Sequence, residues 1–217
     1  MIVALPCGQF SSKEREIIKS INPSFLTFPE FLDNFYVRYA RYKDVNFRKL
    51  FLRVLRKHLE RVEFVVYPDY QYDMSWLLRK YRDKKWIFPL HKKEELDFIL
   101  EHGFEWVGMP HRKQWRDYSV KEFLLMTSEH GLKRWYLGWW DEHRWQNLLR
   151  FHGFDTTLPE YYAYKCAKIW YAPMRAKYVP WKYESVELFK INVENFSKFV
   201  KSLNISFTKW RWFYGGV

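Results

Sequence analysis

The sequence predicts an α/β chain whose parallel strand–helix units close into a (β/α)8, TIM-like barrel, complete or one unit short. Three observations predict it. Short apolar runs alternate with amphipathic, helix-spaced segments from residue 2 to residue 158. Each run is continuous rather than alternating, as in strands buried on both faces. Similar joints, His-Gly followed by Phe or Leu, recur at 102–104, 130–132 and 152–154, a spacing of 22–28 residues that suits one βα unit. The rival is an open doubly wound sheet, but no glycine-rich phosphate loop follows any strand.

The elements read off in order. Residues 2–6 form the first strand, and Ser11 or Ser12 caps a helix over 13–21. Asn22-Pro23 stops that helix, and residues 24–28 form a second strand ended by Pro29. From Phe47 to Val62 the apolar residues fall at helical spacing, while Arg48, Lys49, Arg53, Arg56, Lys57 and Arg61 occupy the other face. That face is either a solvated surface or a phosphate-contacting stripe. Strands follow at 63–67, 85–90, 105–109, 134–137 and 154–158, with helices at 76–81, 94–101, 120–129 and 141–151 between them. An eighth strand is expected near 168–171. In the His-Gly joints, glycine closes a helix in the left-handed conformation and histidine suits the helix dipole, so the three histidines are structural. The barrel occupies 1–160. An aromatic-rich, basic extension, 161–217, packs on it, with a helix at 186–203 and a strand-like tail at 205–214.

Composition narrows the function. Lys and Arg number 37 against 25 Asp and Glu, a net charge of +12. That favours a polyanionic partner, nucleic acid or a phosphorylated substrate before an anionic membrane, over a merely solubilising surface. Aromatic residues make up 22%, more than one core of this size uses, so some serve base stacking or a homodimer interface. Two cysteines exclude a disulfide framework and a four-cysteine zinc site. No apolar run of 18 residues exists and the first ten residues lack a leader pattern, so a cytoplasmic protein with no membrane partner is expected.

Barrels keep their chemistry where strands end. Those ends carry Cys7 and Gln9, Glu30, Asp69 and Asp73, His91, Gly108 and His111, Trp139, Trp140 and Asp141, then Asp155 and Glu160. Carboxylates there suit nucleophilic or acid–base work. No HxH or HExxH spacing supports a metal, and no cofactor motif is present, so neither is expected. Asp73 has an ordinary reading as a helix cap. Asp155, placed at the start of a strand, has one as a buried, paired carboxylate.

Four local patterns resemble the tRNA-guanine transglycosylase superfamily and its relatives that insert deazaguanines into DNA. They are Phe64-Val65-Val66-Tyr67-Pro68-Asp69 with Asp73; the strand from Trp86 to His91; Trp106-Val107-Gly108; and Tyr136-Leu137-Gly138 followed by a helix and Gly153-Phe154-Asp155. The likeness covers residues 63–159, and the family's cysteine-rich zinc motif is absent. It implies base exchange. Asp155 attacks the sugar C1′ of a flipped-out guanosine, and Asp69 reads the base edge or shuttles a proton. His91 hydrogen-bonds the base, Gly108 lets it approach, and Tyr70, Trp139 or Trp140 sandwich it. Three alternatives stand beside this reading: a non-catalytic nucleic-acid or nucleotide-binding module on a degenerate barrel, a barrel hydrolase for a phosphorylated or sugar substrate, and an assembly protein with an aromatic interface.

Overall fold

The computed structural model describes residues 1–6, 12–34, 46–179 and 184–214, with the side chains of the last helix described as far as residue 203. Cys7 and Gln9 lie outside the described residues. Seven strands form one parallel sheet: β1 (Ile2–Ala4), β2 (Phe31–Leu32), β3 (Phe64–Val66), β4 (Lys85–Pro89), β5 (Trp106–Pro110), β6 (Lys133–Leu137) and β7 (Gly153–Asp155). Their order is β1-β7-β6-β5-β4-β3-β2. The free edge of β1 takes up Leu26, whose N–H donates to Val3 O at 2.9 Å and whose carbonyl accepts from Leu5 N at 2.8 Å. Leu26 lies just upstream of β2, so the sheet curls back on itself into a nearly closed barrel.

Helices flank the barrel: α1 (Ser12–Ile21), α2 (Phe47–His58), α3 (Trp76–Lys80), α4 (Glu95–Glu101) and α5 (Val120–Glu129). Each turns apolar residues inward, as Phe51 and Leu55 do on α2, Ile99 on α4 and Phe123 on α5. Between β6 and β7 the expected α-helix is instead a 3-10 stretch, Glu142–Arg150. The expected eighth barrel strand is present as β8 (Lys168–Ala172), but it pairs antiparallel with β9 (Arg175–Tyr178) in a separate hairpin. Among the described residues the barrel therefore has seven strands. The tail expected as a strand continues the last helix, α6 (Ser185–Tyr214). This helix buries Phe189, Val193, Phe196 and Val200 against α1, the hairpin and the outer wall of β7, where Phe154 meets Phe196 at 6.2 Å. No helix among the described residues is long and apolar enough to cross a membrane.

The barrel interior is filled by large and small residues in complementary places. Phe31, Phe64, Trp106 and Trp135 pack together, with Phe31 stacked on Trp135 at 5.2 Å. The register sets Trp135 between Gly108 of β5 and Gly153 of β7. A Cβ on Gly153 would lie 2.5 Å from the Trp135 ring. Gly153 is thus a strand residue that makes room for an indole. The other two joints follow the capping rule: Gly103 and Gly131 take φ of +69° and +65°.

Gly153→Ala is expected to cost about 1–3 kcal/mol, because neither the indole nor the carbonyl of Ile2 beside it has space to withdraw. Gly103→Ala meets no atom within 4 Å and pays only backbone strain, about 1 kcal/mol. Urea unfolding of both variants checks the order. A smaller loss for Gly153→Ala would refute the packing role.

Candidate active site

Period-2 alternation aims the last inward residue of each strand, or one just beyond it, at the C-terminal mouth of the barrel. The mouth is a cavity of about 460 Å³. Three carboxylates line it: Asp33 from the end of β2, Asp69 from beyond β3, and Asp155, the last residue of β7. His91 and His111 follow β4 and β5. Arg112, Trp115 and Trp140 form part of the wall. The mouth thus gathers residues from across the chain, as a barrel should.

Asp69 and His91 are both buried and form a direct pair through Asp69 Oδ1 and His91 Nε2. The other oxygen of Asp69 accepts from Asn34 Nδ2, which also donates to Tyr67 O at 2.8 Å. His91 Nδ1 faces the carbonyl of Trp115 at 2.9 Å, and its backbone N–H donates to Glu95 at 2.6 Å. Both ring nitrogens therefore face acceptors, which favours the imidazolium. Burial pulls the His91 pKa down. The hydrogen bond and charge of Asp69, the Trp115 carbonyl and the charge of Glu95 outweigh it, and the net shift is upward. Tyr70, held at φ +58°, stacks on the imidazole with centroids 4.7 Å apart.

Asp155 is different. Trp135 Nε1 donates to one oxygen at 2.9 Å and Gly138 N to the other at 3.1 Å. Both bonds favour the carboxylate, but burial and the neighbouring Asp33 charge disfavour it more. Burial is the largest cause, and the carboxyl is pushed up to about 7. Asp155 thus exists in both protonation states near neutral pH, the condition that suits acid–base work. His111 moves the other way. Burial first, then Arg112, brings it down to about 4.

The remaining expected residues separate. Trp140 lines the mouth and meets Tyr161 edge-on at 4.7 Å. Trp139 does not: it is buried outside the barrel, stacked on Phe199 at 5.9 Å, so it cannot sandwich a ligand. Gly108 gives no access either, since Leu137 and Ile87 fill the space beside its Cα. Asp73 points away, exposed and paired with Arg48 at 2.7 Å, and makes no helix cap. His91 has no free ring nitrogen for a base edge. Glu30 binds Lys19 at 2.7 Å and Thr27 N at 2.9 Å. Sequence reasoning missed Asp33, Asn34, Arg112, Trp115 and Trp135. Asn34 lies just past a strand end, but the second strand was expected at 24–28. Among the described residues no group of three or more His, Cys, Asp or Glu could hold a metal ion.

The class this architecture defines is a parallel α/β barrel with a polar strand-end mouth. No family model matches the chain. It is similar to a protein of Acidianus two-tailed virus described as uncharacterized protein ORF192, 29% identical over 147 residues, which cover 65% of this chain and 72% of the viral one. Two solved structures share the fold. One, described as native KDPGal, has a TM-score of 0.54 at 10% identity and covers 93% of this chain and 95% of its own. The other is a cube-shaped, porous protein cage designed by fusing symmetric oligomeric domains, with a TM-score of 0.54 at 9% identity, covering 97% and 75%. At these identities they show the fold alone.

Two measurements test the electrostatics. The folded pKa of Asp155 lies above its ordinary 3.8, so the stability it contributes is full below about pH 4 and is lost as pH climbs to about 7. Asp155→Asn should therefore gain on the native protein across that window in thermal unfolding, with a constant difference above and below it. A pH-independent difference would rule out the raised pKa. Trp135→Phe removes a donor to the carboxylate, so the Asp155 carboxyl carbon, followed by NMR, should titrate at still higher pH.

Proposed function

We propose that this protein is a barrel enzyme whose centre is Asp155, and that it acts on the bond between sugar and guanine-type base in a nucleic acid, exchanging the base. The observation that carries the catalytic part is the Asp155 carboxyl, fixed at both oxygens and shifted to about 7 where it lines the mouth. The substrate class rests on the resemblance of residues 63–159 to transglycosylases, on the aromatic walls Trp115 and Trp140, and on the positive net charge.

In this reading ionised Asp155 attacks C1′. The C1′–N bond breaks, a C1′–O bond forms, and the departing base takes up a proton from solvent. The incoming base releases a proton to solvent as it displaces Asp155, while the Asp69–His91 pair, closed by its protein partners, shapes the wall. The likeness to the KDPGal structure supports the TIM-like barrel rather than a shared reaction.

A second reading, a binding module without turnover, is favoured by one observation: Asp69 and His91 are satisfied by protein partners rather than left open to a ligand. Incorporation of labelled guanine into tRNA and into duplex DNA separates the two. The enzyme reading expects exchange that rises with pH through about 7 and falls about 10³-fold in Asp155→Asn. Nucleic-acid binding with no exchange by the native protein supports the binding module, and full activity in Asp155→Asn removes that residue from the chemistry.

A further inference from the structure

We infer that the outward face of α2 is the docking surface for a nucleic-acid backbone. The inference rests on the nucleic-acid part of the proposed function and is independent of its chemistry. Phe47–His58 contains five Lys or Arg and no acid. Arg48, Lys49, Arg53, Arg56 and Lys57 are all exposed, and Arg61 extends the row past the helix end. Lys49, Arg53, Arg56 and Lys57 fall on one stripe at i, i+4, i+7 and i+8. They span roughly 12 Å of helix, the length of three to four phosphates along one DNA strand.

A solubilising surface mixes its charges, and elsewhere this chain does so. Lys85 pairs with Glu63, Lys93 with Glu122 and Lys133 with Glu105. On α2 only Arg48 is paired, with Asp73, while among the described residues Lys49, Arg53, Arg56, Lys57 and Arg61 have no ion-pair partner. The charge is thus segregated. Its field is felt at His58, whose pKa is lowered by burial and then by Lys57, Arg61 and Arg15, the last contributed by α1. The Arg48–Asp73 pair ties the first turn of α2 to the loop leaving β3, on the mouth side of the barrel. A strand held on α2 therefore runs toward the mouth.

The test uses fluorescence anisotropy with a labelled 20-base-pair DNA duplex at 50 and 200 mM KCl. Replacing Arg53, Arg56 and Lys57 by Gln should lower the log–log salt slope by about 2.7, so the ratio of affinities at the two salts shrinks about 40-fold. A matched variant, with exposed Lys190, Lys198 and Lys201 of α6 replaced by Gln, removes the same net charge and should leave the slope nearly unchanged. Both variants should keep the native unfolding midpoint. Equal loss in the two variants would reduce the effect to net charge and overturn the docking face. So would a native protein that binds no duplex, or one that prefers phosphatidylserine vesicles to it. Labelled-guanine exchange by the native protein is measured beside the anisotropy: salt-dependent binding that the α2 variant loses, with no exchange by the native protein, upholds the docking face and removes the chemistry, whereas exchange with an unchanged α2 salt slope does the reverse.

Discussion

The structure depends on one side chain meeting two opposite demands. Trp135 fills the middle of the barrel, where its indole fits because β7 sets Gly153 beside it. Its N–H then reaches upward and holds Asp155. Truncating a buried Trp costs about 3–5 kcal/mol. Here it would also leave a buried carboxylate with one donor fewer. Packing below and electrostatics above are settled by the same ring.

The mouth itself is a balance of charges at short range. Asp69 is neutralised by His91, and the pair is boxed in by Asn34, the Trp115 carbonyl and the Tyr70 ring. Burial first, and then the charge of Asp33, outweigh the two hydrogen bonds to Asp155, so it holds its proton into the neutral range. Three carboxylates in one cavity thus sit in different environments, which is how a single site comes to contain both a fixed charge and a labile proton.

Much of this was legible in the sequence. The parallel strands, their order along the chain and the strand-end placement of Asp69 and His91 follow from apolar runs and turn residues. What misled was local similarity. Gly153 follows a histidine as Gly103 and Gly131 do, yet only those two close helices with positive φ. Taking Gly153 as a cap moves β7 forward and makes Asp155 begin a strand, when it ends one. Placing the second strand at 24–28 hid Asn34 in the same way. Trp139 looked like a ligand contact because adjacency in sequence does not reveal which side of a barrel wall a side chain takes, and Gly108 because sequence does not reveal that Leu137 and Ile87 fill the space beside it. The hairpin of β8 and β9 has strand composition, but its pairing is decided by α6 and by Glu142, which accepts from Trp170 Nε1 and Met174 N at 2.8 and 2.9 Å.

Trp135 lies hard against Gly153, with no room between them for a side chain, so the height of the indole in the barrel is fixed by core volume. Its hydrogen bond to Asp155 is therefore set by the packing of residues that never touch solvent. A methyl group gained or lost deep in the wall would shift the acidity at the mouth, making the proton affinity of one carboxyl a gauge of how well the interior fits.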